Sequence, residues 1–185
     1  APLILSSSDL VYRSLVLNCI ARTARHLDRG ADKAPMGLPR IVAWCAIIAA
    51  GLLIPGGETR RQFGEAGLKR AIDSGIHADG GIVSRSPLAQ MEAIMALSML
   101  RAVYDVRREK PPLFLGDALS RTVPALLGLT HGDGGLGNWQ GSGAIAPQMV
   151  DSVVQASRVR TRPLRQARDW GYQRIAAGAT VIQVD

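Results

Sequence analysis

Two glycine-containing segments carry most of the side chains in this sequence that could do chemistry. Asp79–Pro87 combines an aspartate, a glycine pair, an arginine and two serines, whereas His131–Gly143 combines a histidine, an aspartate, amides and an indole. A histidine titrates near neutral pH and can move a proton, and a guanidinium can bind a carboxylate through two parallel hydrogen bonds. Both segments are therefore candidate parts of a binding or catalytic site.

His131 is the candidate catalytic residue, because side chains that could bind a ligand accompany it in one polar loop. The candidate binding residues in this loop are Asp133, Asn138, Trp139 and Gln140. An indole provides a stacking surface, and amides provide hydrogen bonds. The alternative is a structural turn in which the histidine and the aspartate only cap the ends of neighbouring helices.

Arg85, in the first segment, also has two interpretations. It could bind a carboxylate of a ligand, or it could stabilise its own turn by pairing with Asp79. The two segments are themselves related, since His77–Ile82 resembles His131–Leu136. A spacing of about fifty residues fits one helical hairpin per repeat.

Helical periodicity fills the chain on both sides of these segments. The predicted helices are an amphipathic one that Asp9 caps and Gly30 ends, an apolar one over Ile41–Ile54, a polar one over Glu58–Ser74, one from Pro87 to about Lys110 that Ser86 caps, one over Leu115–Leu129 that Pro124 bends, and one from Pro147 to about Val159. Helices joined by tight glycine turns predict a mainly α fold of antiparallel hairpins.

The C-terminal residues change character. Gly171–Ile175 and Ala179–Asp185 alternate between apolar and polar side chains, which predicts a β-hairpin. A two-stranded hairpin is only marginally stable alone. The sequence therefore predicts an α-helical domain over residues 1–168 and the start of a β domain over residues 169–185, in a chain that is a fragment of a longer protein.

The composition restricts the class of protein and of partner. With 185 residues, 47% of them hydrophobic, the chain is long enough to form a packed core. Its net charge of +7 favours an anionic partner. No nucleic-acid-binding motif occurs, and the arginines between Arg158 and Arg168 fit either a solvated linker or an anion site. The apolar stretch Ile41–Ile54 is shorter than the roughly twenty residues that a membrane span requires.

Cys19 and Cys45 lie in apolar helical patterns and are predicted to be buried free thiols. Their spacing predicts no metal site, and the sequence contains no cofactor-binding motif. No secretory signal occurs in the residues given, and the first residue is not Met. The sequence thus does not distinguish a cytoplasmic from a periplasmic location, and it does not determine the oligomeric state.

Three segments together resemble the heparinase II/III-like family of polysaccharide lyases. Asp79–Pro87 resembles the family segment D-G-G-H-[FV]-x-R-[SN]-P, His131–Leu136 resembles H-G-D-G-S-L, and Asp169–Asp185 resembles the first strands of the family's β domain. The likeness covers most of the chain and is best from Leu38 onward. It implies an incomplete (α/α) toroid of antiparallel helical hairpins, followed by a short C-terminal β-hairpin that begins a β-sandwich domain.

The resemblance also implies a reaction and a partner. The family acts on acidic, uronate-containing polysaccharide by β-elimination, in which a base removes the C5 proton and the 4-linked sugar leaves. For this reaction His131 is the candidate base in the present chain, and Arg85 or Arg40 would neutralise the uronate carboxylate. The polar loop around Trp139 would bind the sugar, and the partner would be an acidic polysaccharide or oligosaccharide.

The chain departs from the family at the positions that carry its chemistry. The family segment continues as S-P-x-Y-H, where this chain has Ala89 and Gln90, which cannot replace a tyrosine and a histidine in proton transfer. An upstream asparagine–histidine pair aligns with Leu38–Arg40, and the histidine of the first segment is Ile82. Three hypotheses follow: a lyase with relocated catalytic groups, a catalytically inactive carbohydrate-binding relative, or a helical scaffold or interaction protein.

Overall fold

Six α-helices and one three-stranded antiparallel sheet make up the described part of the chain. The computed structural model describes residues 7–178 and 180–185. The helices are α1 (Leu10–Gly30), α2 (Leu38–Leu53), α3 (Glu58–Gly75), α4 (Pro87–Arg107), α5 (Leu113–Gly128) and α6 (Pro147–Ser157), and Ala31–Lys33 forms a 3-10 turn. The strands are β1 (Gln166–Ala167), β2 (Tyr172–Ala177) and β3 (Thr180–Val184). A mainly helical fold with C-terminal strands is therefore confirmed.

Helix α2 lies at the centre of the hydrophobic core and packs against α3 and α4. Its buried side chains are Ile41, Trp44, Cys45, Ile47, Ile48 and Leu52. Val42 and Leu53 remain exposed, so the helix is not buried on every side as its uniformly apolar sequence predicts. None of the described helices combines the length and the hydrophobicity that crossing a membrane requires.

Two glycines of α3 allow it to lie close against α2. A Cβ atom on Gly64 would lie 2.7 Å from the side chain of Ile48, and one on Gly67 would overlap the indole of Trp44. Leu68, Ala71 and Ile72 form the buried apolar face of this helix, whereas Phe63 is exposed. At Gly64 and Gly67 the contact with α2 is made by the backbone of α3, which a hydrophobic pattern does not reveal.

Helix α1 begins as its sequence predicts but does not pack as predicted. The carboxylate of Asp9 accepts hydrogen bonds from two backbone N–H groups of the first turn. However, Leu10, Val11 and Leu15 are 73%, 70% and 65% exposed, and the buried residue of the helix is Ala24. Only the C-terminal part of α1 therefore contacts the core.

The two cysteines differ in environment. Cys45 is buried in α2, and burial raises the pKa of its thiol to about 12. Cys19 is exposed, so the predicted burial is wrong for this residue. The reason is that Cys19 lies in the part of α1 whose apolar side chains have no packing partner among the described residues.

Strand β2 is the central strand of the sheet. It pairs antiparallel with β1 on one side and with β3 on the other. In the pair with β3, Ala177 of β2 lies opposite Thr180 of β3. The predicted hairpin is confirmed, except at Ala179, which lies outside the described residues. Strand β1 was not predicted, because two residues are too few to show an alternating pattern. The domain division after residue 168 stays a prediction.

Replacing Gly67 with alanine should destabilise the fold. The added methyl group would overlap the buried indole of Trp44, and overpacking of this kind costs about 1–3 kcal/mol of unfolding free energy. Urea denaturation followed by circular dichroism would measure the change.

Gly116→Ala provides the matched control, because Gly116 lies in helix α5 with open space around its Cβ position. Alanine there should stabilise the helix by about 0.5–1 kcal/mol. An equal gain in both variants would show that α2 and α3 do not meet at Gly67.

Candidate functional site

The two glycine turns have the same backbone structure. In the first turn, the N–H of His77 donates to the carbonyl of Gly81 at 2.8 Å, and the N–H of Gly81 donates to Asp79 Oδ1 at 3.2 Å. The second turn repeats both bonds at 2.8 Å on the equivalent residues His131, Asp133 and Gly135. Each turn follows one helix of a pair and precedes the next, as the sequence repeat predicts.

Asp79 also binds the segment that leads into the sheet. Its Oδ2 accepts hydrogen bonds from the backbone N–H groups of Asp169 and Trp170, both at 2.8 Å. The indole N–H of Trp170 donates to the carbonyl of Ile82 at 2.7 Å, and its ring covers Gly81 so closely that a side chain there would overlap it. One carboxylate and one indole therefore connect the first turn to the sheet.

Gln90 stabilises the same turn from inside the core. Its Oε1 accepts from the N–H of Ile82 at 2.8 Å, while its Nε2 donates to the carbonyls of Gly80 and Thr122 at 2.8 and 2.9 Å. The side chain is fully buried. Gln90 occupies the position where the resemblance expects a catalytic histidine, and here the side chain has only a structural role.

Tyr172 connects both turns at the start of β2. Its hydroxyl donates to the carbonyl of Arg85 at 2.9 Å and accepts from the indole N–H of Trp139 at 2.9 Å. The guanidinium of Arg85 lies 4.8 Å from the centre of the tyrosine ring and pairs with the carboxylate of Asp185. Burial raises the pKa of the Tyr172 hydroxyl, so it remains a neutral hydrogen-bonding group.

The structure brings together some of the predicted site residues. The ring of His131 meets that of Trp139 edge to face, with centroids 6.0 Å apart, and His131 is exposed. Asn138 and Gln140 are exposed as well, and Gln140 has a positive φ of 50°. Because the indole N–H of Trp139 is already bound to Tyr172, the groups that the loop offers to a ligand are exposed amides, an imidazole and the carboxylate of Asp133.

The predicted arginines serve the fold. The guanidinium of Arg40 donates twice to the carbonyl of Ala34, at 2.9 and 2.7 Å, and so holds the turn before α2. Arg85 was predicted either to bind a ligand or to pair with Asp79. The second alternative is wrong, since Arg85 pairs with Asp185, the residue after strand β3.

Ser142 is a further structural residue that the sequence did not indicate. Its hydroxyl lies 3.0 Å from that of Ser86 and accepts from the N–H of Leu88 at 2.7 Å. The second loop thereby helps to cap α4. Within residues 7–178 and 180–185, no group of three or more His, Cys, Asp or Glu side chains is placed to hold a metal ion.

Asp79→Asn should destabilise the chain by about 1–3 kcal/mol, because an amide presents one acceptor oxygen to three N–H donors and turns its own N–H₂ toward them. Asp133→Asn is the matched variant in the second turn. Its carboxylate binds a single described N–H, which an amide oxygen can also accept, so we expect a loss below about 1 kcal/mol. Urea denaturation measures both, and similar losses would exclude the connecting role of Asp79.

Comparison with known proteins gives a distant relative by sequence. No protein-family model matches the chain, and no solved structure matches it. The chain is similar to FtsZ-localized protein C of Caulobacter vibrioides (strain NA1000 / CB15N), with 27% identity over 184 residues, or 97% of this chain. The match covers 31% of the relative, so the chain spans about a third of that protein's length.

This comparison contradicts the expected activity. The matched protein is named for its localisation with FtsZ, not for cleavage or binding of a polysaccharide. The prediction of a polysaccharide lyase is therefore wrong, and neither carbohydrate binding nor an acidic polysaccharide partner has support. The structural roles of Gln90 and Trp139 agree with this correction, and the interaction-protein hypothesis remains.

Proposed function

We propose that this chain is a helical interaction module, without catalytic activity, of a protein that localises with FtsZ. The observation that carries the proposal is the similarity to FtsZ-localized protein C, which extends over 97% of the chain. A likeness of this extent involves the whole module and not a single motif.

The contacts of Gln90 and Tyr172 support a structural role for both side chains. A catalytic group must be free to exchange a proton with a substrate. Gln90 is buried and makes three hydrogen bonds to backbone groups, and the tyrosine hydroxyl of Tyr172 is bound on both sides. In the described residues these side chains stabilise the junction between turns and sheet.

We further propose that the module keeps the scaffold of the heparinase II/III-like family, an incomplete (α/α) toroid that leads into a β-sandwich. Two helical hairpins with equivalent glycine turns support the toroid. The outer face of the sheet supports the sandwich, because Ile175 and Ile182 are opposite each other and 54% and 52% exposed. Apolar side chains on one sheet face are typical of a surface that a second sheet covers.

A fluorescent fusion of the chain, produced in Caulobacter vibrioides together with labelled FtsZ, tests the function. We expect the fusion to overlap the FtsZ signal and to disperse when FtsZ is depleted. The fluorescent protein alone is the control and should be diffuse in both conditions. An intact fusion that stays diffuse while FtsZ forms its normal structures would contradict the proposal.

A further inference from the structure

An arginine-rich segment joins α6 to the sheet. Residues 158–174 contain one carboxylate, Asp169, and six arginines, which are Arg158, Arg160, Arg162, Arg165, Arg168 and Arg174. Among the described residues, only Arg158 of these six forms an ion pair, with Asp105 at 2.9 Å. The positive charge of this surface is therefore mostly uncompensated within the chain as described.

Part of this segment forms a cleft against strand β2. The cleft, here called the arginine cleft, has a volume of about 340 Å³ and is lined by Arg162, Pro163, Arg165, Arg174, Ile175 and Ala176. Its volume falls in the range of ligand sites, roughly 300–1,000 Å³. Three arginines and three apolar residues line one concave surface, which favours a ligand that has both anionic and apolar groups.

The arginine cleft also exposes an unpaired edge of β2. The N–H of Arg174 donates to the carbonyl of Arg165 at 2.8 Å, on the side of β2 that faces β1. Backbone groups alternate along a strand, so the N–H and C=O of Ala176 point to the same side. Strand β1 consists of only Gln166–Ala167 and does not extend to Ala176. A short stretch of strand edge therefore faces the cleft.

We propose that the arginine cleft binds an extended peptide segment in which carboxylates alternate with apolar side chains, and that this segment pairs with β2 at Ala176. The inference rests on the proposed function and specifies the chemistry of a partner. Carboxylates would pair with Arg162 and Arg165, an apolar side chain would contact Pro163, and the backbone would extend the sheet.

The lining of the arginine cleft favours a peptide over other anionic partners. Proteins that bind single-stranded nucleic acid combine positive charge with aromatic side chains on which bases stack, and this cleft has no aromatic residue. Binding to an anionic lipid surface requires an amphipathic helix that lies in the plane of the membrane, whereas the cleft is concave and borders a strand. Only a peptide uses the strand edge as well as the charges.

Fluorescence anisotropy with a labelled twelve-residue peptide that alternates glutamate and leucine tests this inference. We expect saturable binding that weakens as salt rises, because ion pairs are screened. A peptide that alternates glutamine and leucine should bind roughly tenfold more weakly, and so should one that alternates glutamate and serine. A labelled oligonucleotide and vesicles containing phosphatidylglycerol complete the set of probes.

Charge reversal locates the site. Arg162→Glu with Arg165→Glu should weaken peptide binding by roughly tenfold or more. Arg22→Glu with Arg25→Glu makes the same charge change on exposed residues of α1 and should alter affinity by less than about twofold. Circular dichroism checks that each variant is folded.

Ala176→Pro separates edge pairing from charge. Proline removes the N–H that points into the cleft, and a strand tolerates proline where its N–H has no partner in the sheet. We expect weaker peptide binding with an unchanged circular dichroism spectrum.

Three results would overturn the inference. The first is that the glutamate–leucine peptide shows no saturable binding. The second is that the cleft double variant and the α1 double variant lose the same amount of affinity. The third is that the oligonucleotide or the vesicles bind more tightly than the peptide. Failure here with a fusion that still overlaps FtsZ would reject the cleft alone. Peptide binding by a chain that does not overlap FtsZ would reject the proposed function alone.

Discussion

The carboxylate of Asp79 holds the helical hairpins against the sheet, because one of its oxygens closes the first glycine turn and the other binds two N–H groups before β2. The neighbouring contacts depend on this arrangement. Trp170 can lie over Gly81 and bind Ile82 only when the segment before β2 is held at this distance. Gln90 stabilises the same turn from the buried side, through hydrogen bonds to Ile82 and Gly80. The position of the sheet thus follows from a few bonds to one loop.

These contacts explain why Asp79–Pro87 can resemble a segment of a lyase family although the chain lacks that family's catalytic residues. Asp79, the glycine pair and Pro87 are needed to build the turn and to begin α4, whatever reaction takes place nearby. The residues that would carry chemistry are separate, and here they are replaced by Ala89 and Gln90. A motif made mostly of turn and cap residues therefore gives information about the fold and much less about function.

Much of the local structure was predictable from the sequence, since caps and turns depend on near neighbours. Asp9, Ser86 and the repeated Asp-Gly-Gly turns are in the positions that their sequences indicate. Contacts between distant residues were not predictable. Arg85 pairs with a residue one hundred positions away, and no local pattern distinguishes that partner from Asp79. The close contact of α2 with α3 was missed for a related reason, because it depends on missing side chains at Gly64 and Gly67.

The different environments of the two cysteines give this chain a natural labelling position. Thiol reagents attack the thiolate, and the buried thiol of Cys45, with its raised pKa, hardly forms one at neutral pH. Cys19 is exposed on the half of α1 that carries the large exposed apolar residues. A maleimide dye would therefore attach to Cys19 in the native protein without any engineered cysteine. Its emission would report directly whether another surface covers this half of α1.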